Sequence, residues 1–268
     1  MVNTTNGNFE GLEKTQLFYQ IWMPETTPRA ILVIIHGICE HHRRYSNLVD
    51  SLVVKGFALA SFDLRGHGQS SGKRGHINTW SDYRSDVAAF LNLLQDMHPG
   101  IPSFIYGHSL GSLIVLDFII HSNDGLSGAI LSSAPIVPFG VTKPHLVAIA
   151  RLMSRVWPAF PVALNLDPMD ISRDQTVVDA YRNDPQVFRT VTARWGTESM
   201  DTLELVKSNA AEIQLPVLFI HGGDDPLHSV EGVRQYLQKI NHPHKNLIVY
   251  PGSLHEPHND FDYLKVSA

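Results

Sequence analysis

A serine bracketed by two glycines, Gly107-His108-Ser109-Leu110-Gly111, is the pattern with the most chemical promise in this 268-residue chain. It has the form G-x-S-x-G, with an apolar run (103–106) before it and another (113–120) after it. A serine on a tight turn between a strand and a helix is lifted clear of its sheet. The helix N-terminus beside it offers N–H donors to developing negative charge. Gly107 and Gly111 let the strand and helix backbones approach without side-chain clash.

Such a hydroxyl becomes nucleophilic when a base removes its proton and a third group orients the base. In this kind of site the partners follow in the order acid, then histidine, each in a loop just past a strand. The apolar run 217–221 leads into Gly222-Gly223-Asp224-Asp225-Pro226, and the run 247–250 leads into Pro251-Gly252-Ser253-Leu254-His255. Asp224 and Asp225 compete as the acid. Among candidate bases, His242 and His244 precede the strand and fall at the wrong edge. Of His255 and His258, His255 lies nearer the strand end and is favoured. Two backbone donors would complete an oxyanion hole: the N–H of Leu110, directly after the serine, and that of Ile38, in the His36-Gly37-Ile38 turn after the run 30–35.

Positioning these loops requires a particular architecture. Short apolar runs at 30–35, 57–62, 103–106, 129–132, 217–221 and 247–250 alternate with helical patterns, which predicts an α/β fold with a mostly parallel central sheet flanked by helices. The run 17–23 adds an edge strand. A helix over 82–97 has Val87, Phe90, Leu91, Leu94 and Met97 on one face, with Thr79 and Asp82 as its start signal. The apolar run 113–120 reads as a buried helix. The alternation breaks over 136–214, a proline-bearing stretch with a helical run at 145–157 that sets Leu146, Ile149, Ala150, Met153 and Trp157 on one side. This predicts a core of residues 1–135 and 215–268 with an inserted helical cap at 136–214, the helix either packing on its own domain or roofing a lipid pocket.

A formal charge of −5 argues against nucleic acid as a partner. The single cysteine, Cys39, excludes an internal disulfide. Residues 1–10 lack the basic start and apolar run of a signal peptide, and no apolar run is long enough to span a bilayer. A cytoplasmic protein is expected, with transient lipid-surface contact through the cap. Fifteen histidines invite a metal reading at His41-His42 or His255–His258. The latter reads His-Glu-Pro-His, whose proline sits poorly in a helix, so HExxH is absent. Neither metal nor cofactor is expected.

With these residues in place, the chain resembles the monoacylglycerol lipase and lysophospholipase group of the α/β-hydrolases along nearly its whole length. His36-Gly37-Ile38-Cys39-Glu40-His41 with Arg44-Tyr45 is similar to the group's HGxxEHxxRY oxyanion segment. Residues Asp63 to Ser70 resemble its D-x-x-G-H-G-x-S loop, read as structural support. Ser172-Arg173-Asp174, Val178-Asp179-Ala180-Tyr181 and Asn183-Asp184-Pro185 resemble a segment of its cap. The resemblance implies Asp225 as the acid, through G-x-x-D counted from Gly222, and His255 as the base, through Y-x-G-x-x-H. It also implies that Glu40, Arg44, Tyr181 and His258 lie near the polar end of the pocket, where the family holds glycerol. Read structurally instead, Glu40 and Arg44 form an ion pair bracing the oxyanion loop, and Tyr181 packs the cap.

Two departures stand out. The chain ends soon after Tyr263-Leu264, where the family usually has a further helix, and Ser112 replaces a glycine that often follows the elbow. Cys39, beside an oxyanion donor, would let thiol reagents inhibit by crowding. The implied activity is hydrolysis of a single-chain lipid ester such as a monoacylglycerol through an acyl-enzyme on Ser109, falling off through about pH 6–7 as His255 protonates. Alternatives are a short- or medium-chain carboxylesterase, a lysophospholipase, or a hydrolase-fold ligand receptor with negligible turnover.

Overall fold

The computed structural model describes residues 3–123, 125–139 and 144–268. Met1 and Val2 of the N-terminal stretch, and residues 140–143 of the expected insertion, lie outside the described residues. Eight strands form one sheet: β1 (Asn3–Glu10), β2 (Gln16–Met23), β3 (Ile31–Ile35), β4 (Ala58–Phe62), β5 (Ser103–His108), β6 (Leu126–Ser132), β9 (Val217–Gly222) and β10 (Lys245–Tyr250). Their order is β1-β2-β4-β3-β5-β6-β9-β10. β1 pairs antiparallel with β2, and β2 antiparallel with β4; every pairing beyond that is parallel. β3 and β4 are buried at all five positions. That explains why they read as unbroken apolar runs: helices cover both faces of a parallel sheet. β1 escaped the sequence reading because its polar, exposed edge carries no such run.

Helix α2 (Ser81–Met97) buries Val87, Phe90 and Leu94, while Met97 at its end surfaces. Asp82 organises its start, accepting the Asn78 N–H at 2.9 Å and the Thr79 hydroxyl at 2.9 Å. Helix α3 (Leu110–His121) is buried from Leu110 to Ile119. Its Ser112 hydroxyl sits 2.7 Å from the Gly107 carbonyl and 2.9 Å from that of Ser132. The serine that replaces glycine therefore ties α3 to both β5 and β6. Near the chain end a short helix, α8 (Tyr263–Val266), packs beside α1 (Ser46–Val53).

β6 and β9 are direct parallel neighbours, with Ala129 opposite Val217. Everything between them therefore leaves the sheet and returns to it. This excursion carries α4 (Pro144–Val156), β7 (Pro161–Ala163), α5 (Gln175–Asn183), β8 (Thr190–Thr192) and α6 (Ala193–Ser208). β7 and β8 form a small antiparallel pair, three residues each and too short to leave a sequence signature. α4 departs from expectation. It packs on α6, but Leu146, Ile149, Leu152, Val156 and Trp157 are all exposed. Much of the apolar stripe faces outward.

Candidate active site

Ser109 caps α3 at the end of β5, with φ 51° and ψ −116°. A left-handed φ on a non-glycine residue costs about 1–3 kcal/mol and persists where its surroundings over-determine it. Here the Ser109 N–H donates to the Ser132 carbonyl at 2.9 Å, and the Ser109 carbonyl accepts from Ser112 N–H at 2.9 Å. The two glycines make the turn sterically feasible. A Cβ on Gly111 would lie 2.0 Å from the Ile35 carbonyl oxygen, and one on Gly107 would lie 2.5 Å from that of Gly111. Leu110 opens the first turn of α3, where a backbone N–H has no intrahelical acceptor.

Burial separates Asp224 from Asp225. Asp224 is exposed, whereas the Asp225 side chain is enclosed beneath His255. Asp225 Oδ2 accepts from His255 Nδ1 at 3.0 Å and stands 3.2 Å from His221 Nε2. Its Oδ1 accepts the N–H groups of Leu227 at 2.8 Å and His228 at 3.2 Å. Burial by itself would raise this carboxyl's pKa, but His255 and the hydrogen bond from His221 hold it well below the usual carboxylate range. Conversely, burial would lower the His255 pKa, yet Asp225 reverses that and leaves it raised above the ordinary histidine value. His108 and His228 flank the His255 ring at 4.9 and 4.8 Å between centroids. His242 and His244 lie side by side, their rings tilted at 51°, at the opposite, leading edge of β10.

The loop expected to supply an oxyanion donor follows β3. His36 braces it: its Nδ1 donates to the Gly37 carbonyl at 2.8 Å, and its Nε2 accepts the Leu64 N–H at 2.9 Å. Burial and the nearby His67 push its pKa down to about 3, so this strut stays neutral. Asp63, in the loop after β4, accepts from the His42 N–H, His42 Nδ1 and the Gln69 N–H, which makes the D-x-x-G-H-G-x-S segment a structural brace. Glu40 accepts from the Gly37 N–H, the Tyr45 hydroxyl and Arg44 Nε. Arg44 reaches on to Glu256 with Nη2 at 2.5 Å and lies 4.6 Å under the Tyr181 ring. One buried guanidinium thus joins the oxyanion loop, the residue after His255 and the cap helix α5. Burial and Glu256 push the Glu40 carboxyl up to about 7.

Ser109, His255, Ile38, Leu110, Glu40 and Tyr181 all line one cavity of about 370 Å³. Arg44 and His258 do not line it. His258 is fully buried behind it, stacked on Tyr45 at 4.8 Å with Nδ1 3.3 Å from the Tyr106 hydroxyl. The polar end therefore meets the cavity through Glu40, Tyr181 and Glu256, with Arg44 and His258 as a second layer, because Arg44 is drawn inward between two carboxylates. The remaining wall is largely apolar, including Leu164, Leu166, Trp195, Met200 and Leu203. The roof over this wall comes from α6 and the 164–171 segment; α4 contributes no lining residue. Cys39, by contrast with the sequence expectation, is buried, and burial with the neighbouring Glu40 pushes its thiol up to about 12. That leaves almost no thiolate for reagents to find.

The cap segment bearing Ser172-Arg173 is pinned to the His255 loop. His255 N–H donates to the Asp170 carbonyl at 3.2 Å, and Glu256 N–H to that of Ile171 at 2.8 Å. The Ser172 hydroxyl donates to the Asn259 carbonyl at 3.0 Å, and Arg173 pairs with Asp260 at 2.9 Å and Asp262 at 2.8 Å. Among the described residues, Asp225, His228 and His255 bring polar atoms within 4.8 Å of one another, a spacing a metal could use. Both Asp225 oxygens are already engaged by N–H donors and the His228 ring is turned to the Ser133 carbonyl, so the set fits a hydrogen-bonded cluster better than a metal centre. His41 and His42 are likewise engaged, with Asp184 and Asp63. The sequence reading passed over His228, His221 and Glu256. The one available signal, a histidine three residues past the acid, is diluted among so many others.

The profile of the family described as "Serine aminopeptidase, S33" matches residues 26–262. The chain belongs to this family. It is an α/β-hydrolase and an enzyme of the hydrolase class. A monoacylglycerol lipase of Mycolicibacterium smegmatis is 32% identical over 263 residues, covering 97% of this chain and 94% of the relative. Human monoglyceride lipase is 28% identical over 250 residues, covering 91% of this chain and 81% of that one. The crystal structure of Paleococcus ferrophilus monoacylglycerol lipase superimposes with a TM-score of 0.82 at 28% identity, covering 99% of this chain and 95% of that chain. This S33-family member has no helix, among its described residues, long and apolar enough to cross a membrane.

Proposed function

We propose that this enzyme hydrolyses carboxylic esters of single-chain lipids, in the simplest case a monoacylglycerol to glycerol and a fatty acid. Ser109 attacks the ester carbonyl, and His255 takes the hydroxyl proton and returns it to the leaving alcohol. Asp225 holds the imidazole, and the N–H groups of Ile38 and Leu110 receive the oxyanion. Water then releases the acid. The observation that carries this reading is the cavity: apolar residues make most of its wall, Glu40, Tyr181 and Glu256 gather around Arg44 to give it a polar side, and Ser109 and His255 stand in it. Each methylene buried against the apolar wall contributes roughly 0.8 kcal/mol, so an acyl chain belongs there and a polar alcohol at the polar side. An aminopeptidase would need an unpaired carboxylate for a free amino terminus. Glu40 and Glu256 line the cavity, but both are engaged by Arg44.

Steady-state rates on monoacylglycerols of increasing acyl length, against matched lysophospholipids, test this. Rates should climb from acetyl to medium and long chains and favour the glycerol ester; a maximum at acetate or butyrate would defeat the lipid reading. The exposed face of α4, with Ile149 and Trp157 each 55% exposed, is the surface we assign to lipid contact. In the same assay, serine at these two positions should lower rates on vesicle-borne ester only.

The pH profile follows from the Asp225–His255 pair. His255 acts as a base when neutral, and its pKa is raised in the folded enzyme. The acid limb of kcat/KM should therefore have its midpoint above the ordinary histidine value of about 6.5. Asp225→Asn, lacking the charge, should move that midpoint down while lowering the maximum. A limb that stays put in this variant would show that another group controls it.

A further inference from the structure

Resting on the acyl-enzyme reading above, we propose that His228 positions the water that hydrolyses the acyl-enzyme. Its ring is fixed from several sides. The backbone N–H donates to Asp225 Oδ1 at 3.2 Å, and the backbone carbonyl accepts from His221 Nε2 at 3.1 Å. The main chain pairs across an antiparallel bridge with Pro138, and the ring packs edge-to-face on His255 at 77°. Ring Nδ1 lies 2.8 Å from the Ser133 carbonyl. A carbonyl only accepts, so Nδ1 carries the proton and Nε2 bears a lone pair.

His228 lines the reaction cavity, and Nε2 is its one nitrogen without a partner among the described residues. Burial, and then the neighbouring His255, push its pKa down to about 3, so it remains an acceptor across the working range. The two ring centroids stand 4.8 Å apart, and both rings line the cavity that holds Ser109. One water spans roughly 5.5 Å through two hydrogen bonds of about 2.8 Å. A water held in the cavity against both rings would direct one proton at each.

In the step itself the water oxygen forms a bond to the acyl carbon and passes one proton to His255 Nε2, while the carbonyl π electrons move onto the oxyanion. On collapse the bond from that carbon to Ser109 Oγ breaks, and Oγ takes the proton back from His255. His228 accepts a hydrogen bond from the second water proton throughout and never takes it. It is a positioning residue for the second half of the cycle, with little to do in the first.

The two halves separate with a p-nitrophenyl carbamate. Release of p-nitrophenol reports carbamoylation of Ser109, and recovery of activity after the excess is removed reports attack by water. His228→Asn keeps a donor for Ser133 but places no acceptor in the cavity; His228→Gln reaches far enough to supply one. Decarbamoylation should slow about tenfold in H228N, the loss of one ordinary hydrogen bond, and recover most of that in H228Q. Carbamoylation should stay within twofold of wild type, which also certifies that the variants fold. Parallel loss in both halves would mean that His228 only props His255, and unchanged decarbamoylation in H228N, or no recovery in H228Q, would equally overturn the assignment. A wild-type chain that is not carbamoylated at Ser109 would take down the acyl-enzyme reading with it.

Discussion

Replacing Ser109 by alanine should lower ester turnover by roughly 10⁴–10⁶-fold and leave the melting temperature nearly unchanged. The size of the loss follows from the division of labour in such sites: without the nucleophile, only binding and the oxyanion donors remain, and they supply a small part of the acceleration. The fold should tolerate the change because alanine, like serine, is a non-glycine residue at the left-handed φ of 51°, so strain is neither added nor relieved. The hydroxyl removed faces the cavity. Paired measurements of kcat/KM and thermal unfolding check both halves. Ester cleavage that survives in this variant at more than a hundredth of the wild-type rate would remove Ser109 from the chemistry.

Arg44→Met should be the most destabilising single exchange near the site. Arg44 is buried between Glu40 and Glu256, its side chain 8% exposed and theirs 3% and 4%. Removing one member of a buried ionic cluster strands the others without a countercharge, which typically costs about 3–5 kcal/mol. For a chain of this length that corresponds to a fall in melting temperature on the order of 10 °C. The pH dependence carries the sign. With the guanidinium gone, burial lifts the Glu256 carboxyl above the unfolded value of about 4.3 and pushes Glu40, already raised, higher still. The deficit should then grow as pH rises and shrink toward pH 5, where the groups protonate at little cost. Melts of variant and wild type at pH 5.5 and 8 check this. A deficit that is equal at both values would mean that lost packing against Tyr181, not stranded charge, sets the effect.

The sheet and the loops at its strand ends were legible because they rest on contrasts a sequence displays openly. Residues 31–35, 58–62 and 217–222 are buried strands, and a covered parallel sheet leaves them almost wholly apolar. The loops that carry Ser109, Asp225 and His255 follow from counting forward from those runs. Other features were not encoded in a readable way. Neighbouring aspartates in a turn point to opposite sides, so local pattern alone could not separate Asp224 from Asp225; burial and the His255 contact do. Periodicity in α4 reveals an apolar stripe but not what covers it, and Leu146, Ile149 and Trp157 turn out to face outward. The contact of Arg44 with Glu256 spans 212 positions, and no spacing rule reaches that far.

The pin between residues 170–173 and the His255 loop bears on any effort to reshape this enzyme by trimming. Removing the roof is an intuitive way to admit bulkier esters, and the adjacency of β6 and β9 would let the sheet close over the cut. Yet the carbonyls of Asp170 and Ile171 hold the backbone N–H groups of His255 and Glu256. A shortened version that spares those residues keeps His255 seated, whereas one that discards them widens the entrance and cuts that loop loose.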